Sequence, residues 1–334
     1  MKNLTLSLAI LIFATLISSC KKETEECQLD EDILKTEVEL KIVRLETEFF
    51  SAKSTEEFAY LFENHPYFTE KYLLAGSYPS KEQLAGELLL THHDTLMREL
   101  YDEVMIHYPD IVDLEKELTN AFKYIKHYFP EFKIPKVYTF VSGFSSDLYI
   151  DDQMIVIGLD YFLPADHRFQ APDVPEYIAN RYEAKYIVPM IVTAISSAYN
   201  KTDLKQNTLV AEMIYYGKAY HFTKAILPCI PDEYIIGYTS EEVAACFDNE
   251  VLIWSYFVEN DLLFETNPFE IRKYTGEAPA TVEISPDAPG RVGRWLGWNI
   301  VDDYQANQNV ALWELMGETD AGKIFKLSGY KPRP

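Results

Sequence analysis

The chain of 334 residues carries 53 acidic against 30 basic side chains, a formal net charge of −23. It therefore lacks the basic surface that neutralises phosphates, which excludes nucleic acid as a partner and repels anionic lipid headgroups. With 48% hydrophobic and 14% aromatic residues against 13 glycines and 17 prolines, the composition is that of a globular protein able to bury an aromatic core without metal or disulfide staples.

The first twenty residues, MKNLTLSLAILIFATLISSC, have a basic start at Lys2 and an apolar run from Leu4 to Ile17, then Ser18-Ser19-Cys20. The run is too short to span a bilayer comfortably, and small residues followed by cysteine form a lipoprotein cleavage site. Residues 1–19 are read as a signal peptide and Cys20 as the lipidated residue. Membrane attachment is then through a lipid anchor, with the outer membrane favoured because Lys21 follows the cysteine. Residues 20–31, charged and without periodicity, form a tether, and 32–334 a single mainly helical domain. Lipidation of Cys20 leaves Cys27, Cys229 and Cys246, an odd number for an oxidising compartment. Cys229 and Cys246 either pair or stand as isolated buried thiols.

Apolar residues from Asp32 to about Phe50 recur at mostly helical spacing, and Ser54 with Glu57 predicts a capping box on a second short helix. A longer helix is predicted from Ser80 to about His107, and another from Ile111 to about Phe129, stopped by Pro130. The texture then turns β-branched and aromatic. KVYTFVSGF (136–144) and MIVIGLD (154–160), with Asp151 and Asp152 in the connection, predict a β-hairpin at the edge of a small sheet. A loop rich in Pro and Asp (164–175) leads back to helices at Glu176 and at Pro189, the latter suited to a first helical turn. Further helices are predicted over 207–226 and 239–260. The second opens on a Thr239/Glu242 capping box and shows an apolar face of Val243, Phe247, Val251, Trp254 and Val258. The fold class is mainly α with a small β-hairpin or sheet, α+β.

No two of the seven histidines are three or four residues apart, so the local signature of a helical zinc site is missing and neither metal nor cofactor is called for. There is no Gly-x-Ser-x-Gly elbow. Gly290, Gly293 and Gly297 lie at helical spacing beside Arg291, Arg294, Trp295 and Trp298. Their spacing matches no phosphate loop, and close helix packing explains the glycines better. The tryptophans are core by the simplest reading; the four large residues are also the candidate interaction surface.

HYFPEFKIPKVYTFVS, MIVIGLDYFL, TLVAEMIYYGKAYHF, NEVLIWSYFVENDLLF, PGRVGRWLGWNIV and SGYKP, in that order behind the lipid-attachment site, resemble the GldB gliding-motility lipoproteins of the Bacteroidetes. That family resembles, more distantly, zincin-like metallopeptidases with a His-Glu-x-x-His helix and a Glu-Gly-x-Ala pattern on a second helix. By this resemblance Thr193 and Ser197 stand at the paired-histidine positions and Tyr216 at the metal-binding glutamate, in a zincin-like scaffold without ligands. The resemblance implies a non-enzymatic envelope component, associated with type IX secretion, that binds other motility or envelope proteins. An envelope hydrolase whose site is assembled only in three dimensions is the alternative.

Overall fold

The computed structural model describes residues 27–172 and 174–332. The signal peptide, Cys20 and most of the tether lie outside them. Asp30 caps a short α1 (Glu31–Leu34), and the chain then runs extended into β1 (Ile42–Arg44). The single helix predicted from Asp32 to Phe50 is therefore broken. Val38, Leu40 and Ile42 alternate with Glu37, Glu39 and Lys41, a period of two that favours a strand over a helix.

Five helices follow β1 before the next short break: α2 (Leu45–Ser51), α3 (Thr55–Asn64), α4 (Pro66–Lys71), α5 (Lys81–His93) and α6 (Thr95–His107). The helix predicted over 80–107 is thus two. Asp94 takes an extended backbone and accepts hydrogen bonds from Leu96 N and Met97 N, so it starts a new helix instead of continuing the old one. Next comes α7 (Val112–Tyr128), as predicted.

The sheet is built from β1, β2 (Lys136–Phe140), β3 (Leu148–Ile150) and β4 (Met154–Gly158), in the order β1-β2-β4-β3. The two runs expected to form a hairpin, β2 and β4, are neighbours but parallel. The hairpin partner of β4 is β3, which lies antiparallel at the sheet edge with Tyr149 opposite Val156. Buried Asp160 fixes the intervening loop by accepting hydrogen bonds from Ser142 N (3.0 Å) and Phe144 N (2.7 Å). Alternation sorts the side chains. Val137, Ile155 and Ile157 enter one core with α7, while Tyr138, Phe140, Met154 and Val156 enter a second with α2 to α5. Helices thus cover both faces of the sheet, and both runs read as continuously apolar.

The chain continues through α8 (Glu176–Ala179), α9 (Ala184–Tyr199), α10 (Leu209–Ile226), α11 (Asp232–Ile236), α12 (Ser240–Asp248), α13 (Glu250–Glu259), α14 (Pro268–Thr275), α15 (Val292–Gln308), α16 (Leu312–Gly317) and α17 (Ala321–Ser328). Among the described residues this is a mainly helical α+β protein with a four-stranded mixed sheet. Pro189 lies inside α9 instead of in its first turn. Thr239 and Glu242 do form a capping box, but α12 and α13 are separate helices. Their buried face is Cys246, Glu250, Ile253 and Phe257, whereas Phe247, Val251 and Val258, expected to face the core, are exposed.

The third core surrounds α10 and α15. Lys218, in the middle of α10, is fully buried and donates from Nζ to Met316 O (3.0 Å) and Glu318 O (2.8 Å). Burial lowers its pKa to about 7. Unfolding releases the amine to water, where it titrates near 10.4. Between these values the unfolded chain binds the extra proton, so stability rises with pH across that window. Relative to Lys218→Met, the native chain is expected to gain roughly 2–4 kcal/mol between pH 6 and 10, read from urea midpoints. A pH-independent difference would contradict this.

Candidate functional site

A groove runs along one face of α9, between that helix and the edge strand β3. Its wider end is a cleft of about 680 Å³, lined on the α9 side by Tyr186, Met190, Thr193 and Ala194. These positions fall at helical intervals, so a single face supplies the floor. Leu148 and Ile150 of β3, two residues apart and therefore on the same side of the strand, line the cleft as well. The narrower end, about 460 Å³, shares Ile150 and Ala194 and extends past Ser197 and Ala198 to Lys133.

Arginine chemistry dominates the wide end. Glu277 meets Arg181 Nη1 at 3.0 Å, Arg294 Nη1 at 3.3 Å and Arg291 Nε at 3.4 Å. Burial works to raise the Glu277 pKa, but Arg291, Arg181 and Arg294 override it and hold the carboxylate below its usual range. Arg291 is 3% exposed and has a left-handed backbone, φ 63°. Its guanidinium donates to Ile236 O (3.0 Å) and Gly237 O (3.2 Å), closing the C-terminal end of α11 where a cation suits the helix dipole. Asp147, the other carboxylate lining the cleft, accepts from Tyr182 Oη at 2.6 Å and Leu148 N at 2.7 Å.

The positions aligned with a zinc site do not converge. Thr193 Oγ1 is 2.8 Å from Thr223 Oγ1, Ser197 Oγ donates to Ala194 O, and the Tyr216 ring lies 4.0 Å from the Arg294 guanidinium carbon. Hydroxyls are weak zinc ligands, and a guanidinium on the tyrosine opposes a second cation there. The residues present do not fit the metal. Thr223, two turns along the same face of α10 from Tyr216, is the residue that meets Thr193, so the three positions are offset along the helix pair.

Another group of potential ligands comes from elsewhere. Glu103, His107 and His167 have ligand atoms within 4.8 Å of one another. Glu103 and His107 lie one turn apart on α6, a spacing visible in the sequence, while His167 arrives from a loop. Hydrogen bonds account for the trio: Phe169 N donates to His167 Nδ1 at 3.2 Å, which places the neutral ring's proton on Nε2, 3.4 Å from Glu103. His167, with Arg168, holds Glu103 below the usual carboxylate range. His92 is buried and stacks on Phe50, while His93 is exposed.

Trp295 and Trp298 are buried at 2% and 6% exposure, within the core around α10 and α15. Of the four candidate interaction residues, Arg291 lines the cleft and Arg294 joins its charge cluster. Arg181, Tyr182 and Glu277 escaped the sequence reading, because no local pattern ties α8 to the segment before α15.

The family model described as gliding motility protein GldB matches residues 26–332, nearly all of the chain. No curated protein and no solved structure matches it.

Proposed function

Since the chain belongs to the GldB family of gliding motility proteins, we propose that it is a lipid-anchored envelope component that serves motility by holding other proteins, on a zincin-like scaffold without catalytic groups. The observation that carries this reading is the chemistry of the cleft. Its two carboxylates are each committed to neighbouring donors, and Thr193 shares its hydrogen bond with Thr223. Donors and acceptors already engaged in this way suit a surface that recognises a partner. Exposed Val251, Leu252 and Val258 on α13, with Phe264 beyond it, add an apolar patch of the kind that assembly surfaces use.

The Cys27–Cys229 disulfide supports export to an oxidising compartment. It also shortens the tether. Six residues lie between Cys20 and Cys27, so an anchor at Cys20 holds the domain within about 25 Å of its membrane. The lysine after Cys20 favours the outer membrane, and the association with type IX secretion follows from the family resemblance.

Cys20→Ser is expected to leave the fold intact, release the protein from the membrane fraction and abolish colony spreading, and deletion of the gene is expected to abolish spreading as well. Membrane association that survives the substitution would remove the anchor from this reading. Normal spreading of the deletion strain would remove the motility role.

A further inference from the structure

We propose that the groove between α9 and β3 binds an extended peptide by strand addition, with a carboxylate of that peptide held at Arg181 and Arg291. The proposal rests on the reading that the protein works by binding, and specifies the class of partner.

Backbone pairing supplies the first half of the argument. In the antiparallel ladder, Gly158 N donates to Asp147 O and Asp151 N to Met154 O. Residues 147, 149 and 151 therefore turn their polar groups toward β4, and residues 148 and 150 turn theirs away. Asp147 Oδ1 accepts from Leu148 N. Among the described residues, Leu148 C=O and Ile150 N–H and C=O remain as the outer edge of β3, the last strand of the sheet. Side chains of the same two residues line the groove. An extended segment lying in it would meet both a row of backbone donors and acceptors and alternating side-chain space, as strand addition requires.

Charge supplies the second half. Three guanidinium groups share one carboxylate, Glu277, in a chain whose net charge is −23. Among the described residues the buried Nε atoms of Arg181 and Arg291 make no hydrogen bond, Arg291 Nε having only its 3.4 Å ion-pair contact with Glu277. Both residues line the cleft, and Arg291 is 97% removed from solvent by its 3% exposure. Buried guanidinium donors short of acceptors favour a second carboxylate, which forms planar paired hydrogen bonds with arginine. Tyr182, Tyr186 and Tyr234 complete the wall with flat apolar surface and hydroxyl tips. A carboxylate can come from the peptide's own C-terminus or from an Asp or Glu side chain.

The probe is a set of random octapeptide pools passed over the immobilised full chain. One pool has free C-termini and no Asp or Glu; one is C-terminally amidated and contains Asp and Glu; a third is amidated and lacks both. Retention of the first pool assigns the carboxylate to the terminus, and retention of the second assigns it to a side chain. In either case the third is expected to bind at least tenfold more weakly. Arg181→Gln, which leaves Arg291 to close α11, is expected to erase that preference. Bound peptide is expected to slow amide exchange at Ile150 at least tenfold. Ile150→Pro removes the outward N–H and is expected to abolish retention; should that variant not fold, the exchange measurement on the native chain decides. No retention of any pool, equal retention of all three, a preference unaffected by Arg181→Gln, or unprotected Ile150 overturns the proposal. None of these results bears on whether deletion stops spreading, so the two readings fail separately.

Discussion

Gly297→Ala is expected to destabilise the protein by about 3 kcal/mol or more, enough to prevent accumulation of folded protein at growth temperature. A Cβ on Gly297 would sit 2.0 Å from Met213 O, and one on Gly217 would sit 2.3 Å from Gly297 O. Both obstacles are backbone atoms of the facing helix, so no side chain can rotate away. α10 and α15 would have to separate, opening the core that contains Trp295, Trp298, Leu296 and Ile300. Gly217→Ala is expected to behave alike. Gly86, in α5, has nothing within 4 Å of an added Cβ; alanine there is expected to raise stability by about 0.5–1 kcal/mol through helix propensity. Thermal and urea unfolding of the three variants separates close packing from propensity. Three similar small changes would refute the packing argument.

Loss of the Cys27–Cys229 disulfide is the second large effect. The bond links residues 202 apart in sequence, so it restricts the unfolded chain strongly, and Cys229→Ser is expected to cost about 2–5 kcal/mol. It also fastens the N-terminal segment beside α7, where Leu29 packs against the core and Asp30 N donates to Tyr124 Oη at 2.7 Å. Without the bond, that segment is held only by non-covalent contacts, these among them. A thiol reductant is expected to lower the melting temperature of the native chain and leave Cys229→Ser unmoved. Cys246 is a free, buried thiol whose pKa burial pushes up to about 12. Cys246→Ala is therefore expected to leave the reductant response intact. An unchanged melting temperature on reduction of the native chain would contradict the staple.

Some of this was legible in the sequence because it is local. The Thr239/Glu242 box, the helix ending before Pro130 and the glycine face of α15 each depend on residues within a turn or two. The glycines carried the most tertiary information, since Gly217 and Gly297 are needed where two backbones meet. Strand partners were not legible: β2 and β4 are apolar on both faces, so nothing in either run distinguishes a parallel neighbour from a hairpin. α10 is apolar around most of its circumference, which hid the register along its length that sets Thr223, two turns beyond Tyr216, against Thr193 of α9. The sequence leaves Cys229 and Cys246 either paired or isolated; Cys229 instead bonds Cys27, 202 residues away, and among the described residues only Cys246 stands as a free buried thiol. The arginine cluster draws on Arg181 just after α8, Glu277 just after α14, and Arg291 and Arg294 at the start of α15, places that only the fold brings together.

A protein that works through the groove between α9 and β3 loses its function when that groove is filled. Ala194 is exposed on α9 and lines both ends of the groove, so Ala194→Trp fills it without entering the core. Colony spreading of a strain carrying that substitution, with protein level and melting temperature measured alongside, is the direct test. Spreading lost while level and melting temperature stay native is the predicted result; full spreading with the groove filled would contradict it.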